Sequence, residues 1–171
     1  VSFDQDEVRI HATQSDPLCA TLRCRITDIM QGRNDDLDSL ATLDIDLSDA
    51  FASCAVKLAA QLKAPPLAIG CHGQTVRHRP ERRFTVQLGS GAVIATRSGI
   101  PTVTDFRSAD IALGGQGAPL VPAFHCDVFG SEKEDRAIVN IGAAASVKAG
   151  VGMGAYAASK SGVARLTEAL A

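Results

Sequence analysis

Asp105, Arg107 and Asp110 fall within six consecutive positions, and Gly114, Gly115 and Gly117 follow at once. The surrounding stretch, residues 104–122, holds these two acids, one guanidinium, three glycines and two prolines in nineteen residues. An arginine fork is suited to a carboxylate or phosphate, which it can grip through two parallel hydrogen bonds. Glycines admit positive φ and let backbone approach a ligand or a facing strand. Successive N–H groups in such a turn can form an anion-binding concavity. The competing reading is a tight loop in which Arg107 merely pairs with Asp105 or Asp110.

Other chemistry-bearing groups lie on either side. Cys71, His72, Gly73, Gln74 and Thr75 form a polar run after the short apolar segment 67–70. Cys71-His72 and His125-Cys126 are the only metal-ligand pairs worth weighing. Neighbours on a strand point to opposite faces, so each pair could offer one ligand at most. With no Cys-x-x-Cys, no metal site is expected. Residues 77–83 hold four arginines and a histidine, expected as a solvated basic loop, with attraction of anions as the sharper reading. Near the end of the chain, Tyr156 and Lys160 are four apart, hence on one face if that segment is helical.

These residues need strands and helices to position them. Residues 100–104 read as a β-branched, buried strand ending at Asp105, and open α/β sheets place ligands just past such strands. Residues 8–13 alternate weakly as a short strand. Pro17 suits the first turn of a helix capped by Ser15 or Asp16 and stopping at Gly32. Residues 35–63 carry Leu37, Leu40, Leu43, Leu47, Phe51, Val56, Leu58 and Leu62 at helical spacing, as one long helix or two broken near 44–48. Early acids and late lysines suit its dipole. Residues 67–70 and 84–88 read as strands, 90–98 as a helix. Beyond lie an expected helix at 120–129, a turn at 131–135, a buried strand at 136–141, a glycine-rich loop at 150–154 and a final helix at 155–170. Strands alternating with helices argue α/β.

The 171 residues, 46% hydrophobic and 21% charged with a net charge of −2, fit one soluble globular domain rather than a disordered chain. The near-neutral balance argues against nucleic acid or an anionic membrane as main partner. No apolar run reaches the roughly 18 residues of a membrane span. The first residues lack a signal peptide's charged and apolar regions. They also lack an initiator Met, so an incomplete or processed N-terminus is expected. Five irregularly spaced cysteines do not suggest a disulfide framework, and a cytoplasmic location is expected.

Three longer motifs carry a resemblance. Ala68-Ile-Gly-Cys-His-Gly-Gln-Thr75, Phe84-Thr-Val-Gln-Leu-Gly89, and Asp105-Phe-Arg running through Asp110-Ile-Ala-Leu-Gly-Gly-Gln-Gly-Ala-Pro-Leu-Val-Pro-Ala-Phe-His125 resemble the anhydro-N-acetylmuramic acid kinases in type, order and spacing. The resemblance covers about residues 1–142, weakly before Ala68 and strongly after it. It implies an actin-like ATPase and sugar-kinase fold, here a half-domain with a mixed sheet flanked by helices. The implied activity is Mg-ATP-dependent opening and phosphorylation of an anhydro amino sugar in cell-wall recycling. His72, Gly73, Gln74 and Thr75 match a motif lining the sugar side of the cleft, and Asp105 and Arg107 match the Asp-Phe-Arg motif. Arg107 would suit the sugar's lactyl carboxylate. Gly114, Gly115, Gln116 and Gly117 match a loop expected to shape the cleft floor. The family's Gly-Thr-Ser-x-Asp-Gly phosphate hairpin and its Asp-Thr-Gly-Pro loop, whose Asp is the general base, do not occur in these residues. Loss of a general base alone typically costs about 10²–10⁴ in rate, so this chain is expected to bind sugar at best, without turnover.

From Ala143 onward the sequence is similar instead to the active-site helix of short-chain dehydrogenases/reductases, with Tyr156-Ala-Ala-Ser-Lys160 as its Tyr-x-x-x-Lys. That resemblance would imply Tyr156 as proton donor, Lys160 as its partner and NAD(P) as cofactor. The position thirteen residues before Tyr156 is Ala143 rather than a serine, Ser146 is out of register, and no dinucleotide glycine turn follows the first strand. The expectation is a hybrid chain, with residues 143–171 covering a sheet face through Tyr156, Val163, Leu166 and Leu170. The readings left open are a sugar-kinase half-site, a reductase fragment and a folded domain without activity. An uncovered half-cleft could also self-associate.

Overall fold

The longest element explains most of the packing. A computed structural model of the chain describes residues 1–4, 7–121 and 124, and in it Leu37–Ala59 form one uninterrupted 23-residue helix, here α2. It starts where Asp36 accepts hydrogen bonds from the Ser39 amide at 2.9 Å and the Ser39 hydroxyl at 2.6 Å, which satisfies an otherwise orphaned first-turn donor. Asp38 in its first turn and Lys57 in its last complement the helix dipole. The break considered near 44–48 is absent: the Ser48 hydroxyl donates back to the Asp44 carbonyl at 2.6 Å, and the helix continues.

Helix α1 spans Ala20–Met30, three positions later than Pro17 suggests, and has no side-chain cap. The expected cap is engaged elsewhere, because Asp16 accepts from Lys57 Nζ at 2.6 Å and from the Gln14 amide. Gly32 ends the segment at φ +74° as expected. Ile26 and Ile29 of α1 meet Leu43 and Leu47 of α2 in the core, joined by Val76 and Leu88. Leu43 and Leu47 are wholly buried.

The described strands form three separate two-stranded ladders rather than one mixed sheet. Strand β1 (Ser2–Asp4) pairs antiparallel with β2 (Glu7–Arg9), so the early strand stops well short of residue 13. Strand β3 (Ile69–Gly70) pairs parallel with β6 (Thr102–Val103), Ile69 opposite Thr102. Strand β4 (Gln74–Arg79) pairs antiparallel with β5 (Phe84–Leu88), with a register shift between Thr75 and Arg77. Gly73 at φ +74° turns the chain between β3 and β4 and so starts a new ladder. The buried strand expected at 100–104 is two residues long, and Val103 is 57% exposed, because β6 has a single neighbour.

The expected basic loop at 77–83 is corrected as well. Arg77 and Arg79 belong to β4, and only a 3₁₀ turn at Pro80–Arg82 with Arg83 at φ +61° connects the hairpin. Arg77 Nη2 reaches the Ile29 carbonyl and Asp35, each at 3.2 Å, tying the hairpin to the end of α1. Arg82 lies over the Phe84 ring, 5.5 Å from its centroid.

Helix α3 spans Gly91–Ser98, capped by the Ser90 hydroxyl, and packs along α2. A short helix with no counterpart among the expected elements, α4 (Ser108–Ala112), follows β6. All these elements lie in one unit, Val1–Ala118. The expected turn, strand, glycine-rich loop and final helix from residue 131 onward, and most of the helix expected at 120–129, lie outside the described residues.

Candidate functional site

Four segments converge on a polar cleft of about 370 Å³. Helix α2 contributes Asp44, the turn after β3 contributes His72 and Gly73, the β5–α3 turn contributes Gly89 and Ser90, and the β6–α4 turn contributes Asp105 and Ser108. Each of these turns leaves a strand or enters a helix, where backbone groups have left the ladders and side chains are free to take over.

Asp105 stands at φ +59°, in the left-handed region. Aspartate tolerates this region better than most residues, and here its carboxylate accepts the Ser108 hydroxyl at the start of α4. Two residues on, Arg107 is half-buried and joins two loops. Its Nε donates to His72 Nε2 at 2.8 Å, and its Nη1 donates to the Gly117 carbonyl. The competing pairing with Asp105 or Asp110 does not occur, because both carboxylates are committed nearby, Asp105 to Ser108 and Asp110 to the Gly117 amide at 2.6 Å.

The His72 contacts fix its tautomer. Arginine has no acceptor, so His72 Nε2 accepts, and Nδ1 carries the proton toward the Gly73 carbonyl 2.9 Å away. The first polar run and the Asp-Phe-Arg segment, thirty-five residues apart in sequence, are therefore joined by the Arg107–His72 hydrogen bond. A ligand carboxylate gripping the Nε and Nη2 edge of Arg107 would take the place of His72.

Not every expected site residue lines the cleft: Arg107 itself is outside the lining set and meets it through His72. Gln74 and Thr75 are in β4, where Gln74 Nε2 donates to the Thr75 carbonyl at 3.0 Å and Thr75 Oγ1 accepts from Gln87 at 3.2 Å. Gly114, Gly115, Gln116 and Gly117 are not among the residues lining this cleft. Gly117 is held at its carbonyl by Arg107 Nη1 and at its amide by Asp110, and the Gly115 amide donates to the Asp110 carbonyl at 2.8 Å. A Cβ on Gly117, which has φ +67°, would sit 2.8 Å from Ile111, so this turn has no room for a side chain.

Asp44, Ser90, Thr104 and Ser108 line the cleft without having been singled out in the sequence. Ser90 alone carried a local signal, as a cap residue ahead of a helical run. Cys71 also lines the cleft. Burial pushes its thiol up from the ordinary value, and a bond from the Gly73 amide pulls it partly back, which disfavours a reactive thiolate. Among the described residues no three His, Cys, Asp or Glu side chains group as a metal site, and no helix is long and apolar enough to cross a membrane. His125, Cys126, Tyr156 and Lys160 lie outside the described residues.

A family model described as anhydro-N-acetylmuramic acid kinase matches residues 1–155. The match extends thirteen residues beyond the boundary expected at 142 and stops before Tyr156. The chain is 42% identical over 155 residues to an anhydro-N-acetylmuramic acid kinase of Saccharophagus degradans, covering 86% of this chain and 42% of the relative. It is 44% identical over 152 residues to that of Vibrio vulnificus, covering 86% and 41% respectively. With that of Neisseria meningitidis it shares 44% over 134 residues, covering 77% and 36%. The chain thus spans about two fifths of the length of the first two of these relatives.

Proposed function

The chain belongs to the anhydro-N-acetylmuramic acid kinase family, and from that premise we propose that its cleft is the sugar-facing half of a kinase site with the actin-like ATPase fold. The single observation that supports this reading is the Arg107–His72 hydrogen bond, because it brings the two sugar-side motifs to one place. In this reading His72, Gly73 and Asp105 offer hydrogen-bonding partners to the anhydro amino sugar. Arg107 takes its lactyl carboxylate, with His72 moving aside to free the fork. Gln74 and Thr75 support the turn from within β4.

Mg-ATP would supply the phosphoryl group in the whole kinase. Phosphoryl transfer depends on phosphate cradles and an oriented nucleophile. Neither the Gly-Thr-Ser-x-Asp-Gly motif nor the Asp-Thr-Gly-Pro motif occurs in these 171 residues. In this reading the 171 residues bind the sugar without phosphorylating it, and the ligand is a small-molecule amino sugar of the cytoplasm. The reductase-like reading of Tyr156 and Lys160 with NAD(P) draws on no observation beyond the sequence and is not adopted.

Calorimetric titration with 1,6-anhydro-N-acetylmuramic acid tests the proposal. Saturable heat is expected with wild-type chain, and no labelled phosphate should pass from ATP to sugar above a heat-killed control. Absence of sugar binding contradicts the half-site reading, and clear turnover contradicts the claim that the chain is inactive alone.

A further inference from the structure

One turn of α2 makes contacts that packing alone does not require. Ser48 lies in the helix interior, wholly buried, and is the one buried polar side chain among the described core residues. Its hydroxyl donates to the Asp44 carbonyl at 2.6 Å and accepts the Ser90 amide at 2.7 Å. One turn earlier, Asp44 Oδ1 accepts the Gly89 amide. Two consecutive backbone donors of the β5–α3 turn are thus taken by two side chains of α2, four residues apart and on one helix face.

The turn held in this way is a wall of the cleft. Gly89 stands at φ +134° with Phe51 of α2 packed 3.1 Å from where its Cβ would be. Ser90 caps α3, and Gly91 is pressed against Thr104, which leads directly into Asp105. An apolar residue at 48 would fill the same space in the core but would leave the Ser90 amide buried without a partner. The position of Ser90 and Gly91 opposite Asp105 is therefore set by hydrogen bonds from α2.

We propose that Asp44 and Ser48 are positioning residues of the cleft, acting through the Gly89–Ser90 amides to fix the wall that faces Asp105 and His72. Ser48 is wholly buried and cannot meet a ligand, whereas Asp44 lines the cleft, and its positioning part requires only that Oδ1 accept the Gly89 amide. Displacements of about an ångström in a supporting group are enough to weaken a preorganised site strongly. The ligand readout rests on the sugar-site reading. The geometric claim does not.

The test uses the 171-residue chain with Asp44→Ala, Asp44→Asn and Ser48→Ala, followed by amide NMR and by sugar titration. In Asp44→Ala the Gly89 amide should exchange with solvent about tenfold faster, with the Thr104 and Asp105 resonances shifted across the cleft and those of Ile26 and Ile29 unmoved. Sugar affinity should fall about tenfold in Asp44→Ala and recover to within about twofold of wild type in Asp44→Asn, whose side-chain oxygen can still accept. Equal losses in Asn and Ala variants would mean that the carboxylate meets the ligand itself, and would overturn positioning. Unmoved Thr104 and Asp105 resonances in a folded Asp44→Ala chain would overturn it too. Should wild-type chain bind no sugar, the function proposed above fails while the amide readouts still decide this claim. Ser48→Ala, if it folds, should do to the Ser90 amide what Asp44→Ala does to the Gly89 amide. If it does not fold, the two Asp44 variants decide alone.

Discussion

The two halves of the described unit are held together by different means. Between α1, α2 and the β4–β5 hairpin, Ile26, Ile29, Leu43, Leu47, Val76 and Leu88 bury one another with further apolar side chains around them. Around the cleft there are polar contacts: Arg107 to His72 and Gly117, Asp110 to Gly117, Asp105 to Ser108, Asp44 to Gly89. Burial is non-directional and shared among many neighbours, so the first region tolerates small shifts and fails only when volume is lost. Hydrogen bonds are directional, so each cleft contact depends on the geometry of one donor and one acceptor. Stability should therefore reside in the first region and ligand geometry in the second.

The sharpest way to break that contrast is Leu47→Ala. Leu47 is wholly buried, and truncation should lower unfolding free energy by about 2–5 kcal/mol, read by urea denaturation. A loss below about 1 kcal/mol would place the stabilising core elsewhere. Gly117→Ala comes next. It asks a side chain to occupy φ +67° beside Ile111, which should cost about 1–3 kcal/mol and weaken sugar binding, since the Gly117 carbonyl anchors Arg107. Wild-type binding after that substitution would separate the glycine loop from the site.

Arg107→Lys should leave the denaturation midpoint nearly unchanged. A lysine keeps the charge but loses the Nε donor and the fork. Nitrogen NMR should show His72 as the Nδ1–H tautomer in wild type and a mixture in the variant. A wild-type chain with the proton on Nε2 would contradict the Arg107–His72 bond. The smallest effect is electrostatic. Asp36 is held below the ordinary carboxylate range by the Ser39 hydroxyl and then by the Ser39 amide. Its capping stabilisation is thus fully present above the ordinary aspartate value and is lost as pH falls toward the lowered one. Between neutral and acid pH the melting temperature of wild type should fall more than that of Asp36→Ala. Parallel pH curves would show that the cap contributes nothing measurable.

The apolar periodicity of α2 was readable because burial imposes helical spacing on Leu40, Leu43, Leu47 and Phe51. The alternation at 84–88 likewise matched β5 residue for residue. The sequence places the start of α1 too early because Asp16 pairs with a distant partner, Lys57, that no local pattern reveals. The same reason hid the destiny of Arg77, which pairs with Asp35. At the cleft, His72, Gly73 and Asp105 are legible through motifs, and Arg107, bonded to His72 from outside the lining, is legible in type but not in partner. Asp44 and Ser48 were invisible, since an acid and a serine in a helix look like solvated positions until α3 is packed against them.

If Arg107 joins the two motifs into one binding site, its removal should abolish sugar binding. Ligand-observed NMR tests it most directly, with 1,6-anhydro-N-acetylmuramic acid and NADPH together in one sample of purified chain. Saturation transfer should reach the sugar, be abolished by Arg107→Ala, and not reach NADPH. Transfer to NADPH alone, or sugar transfer that survives Arg107→Ala undiminished, would contradict it.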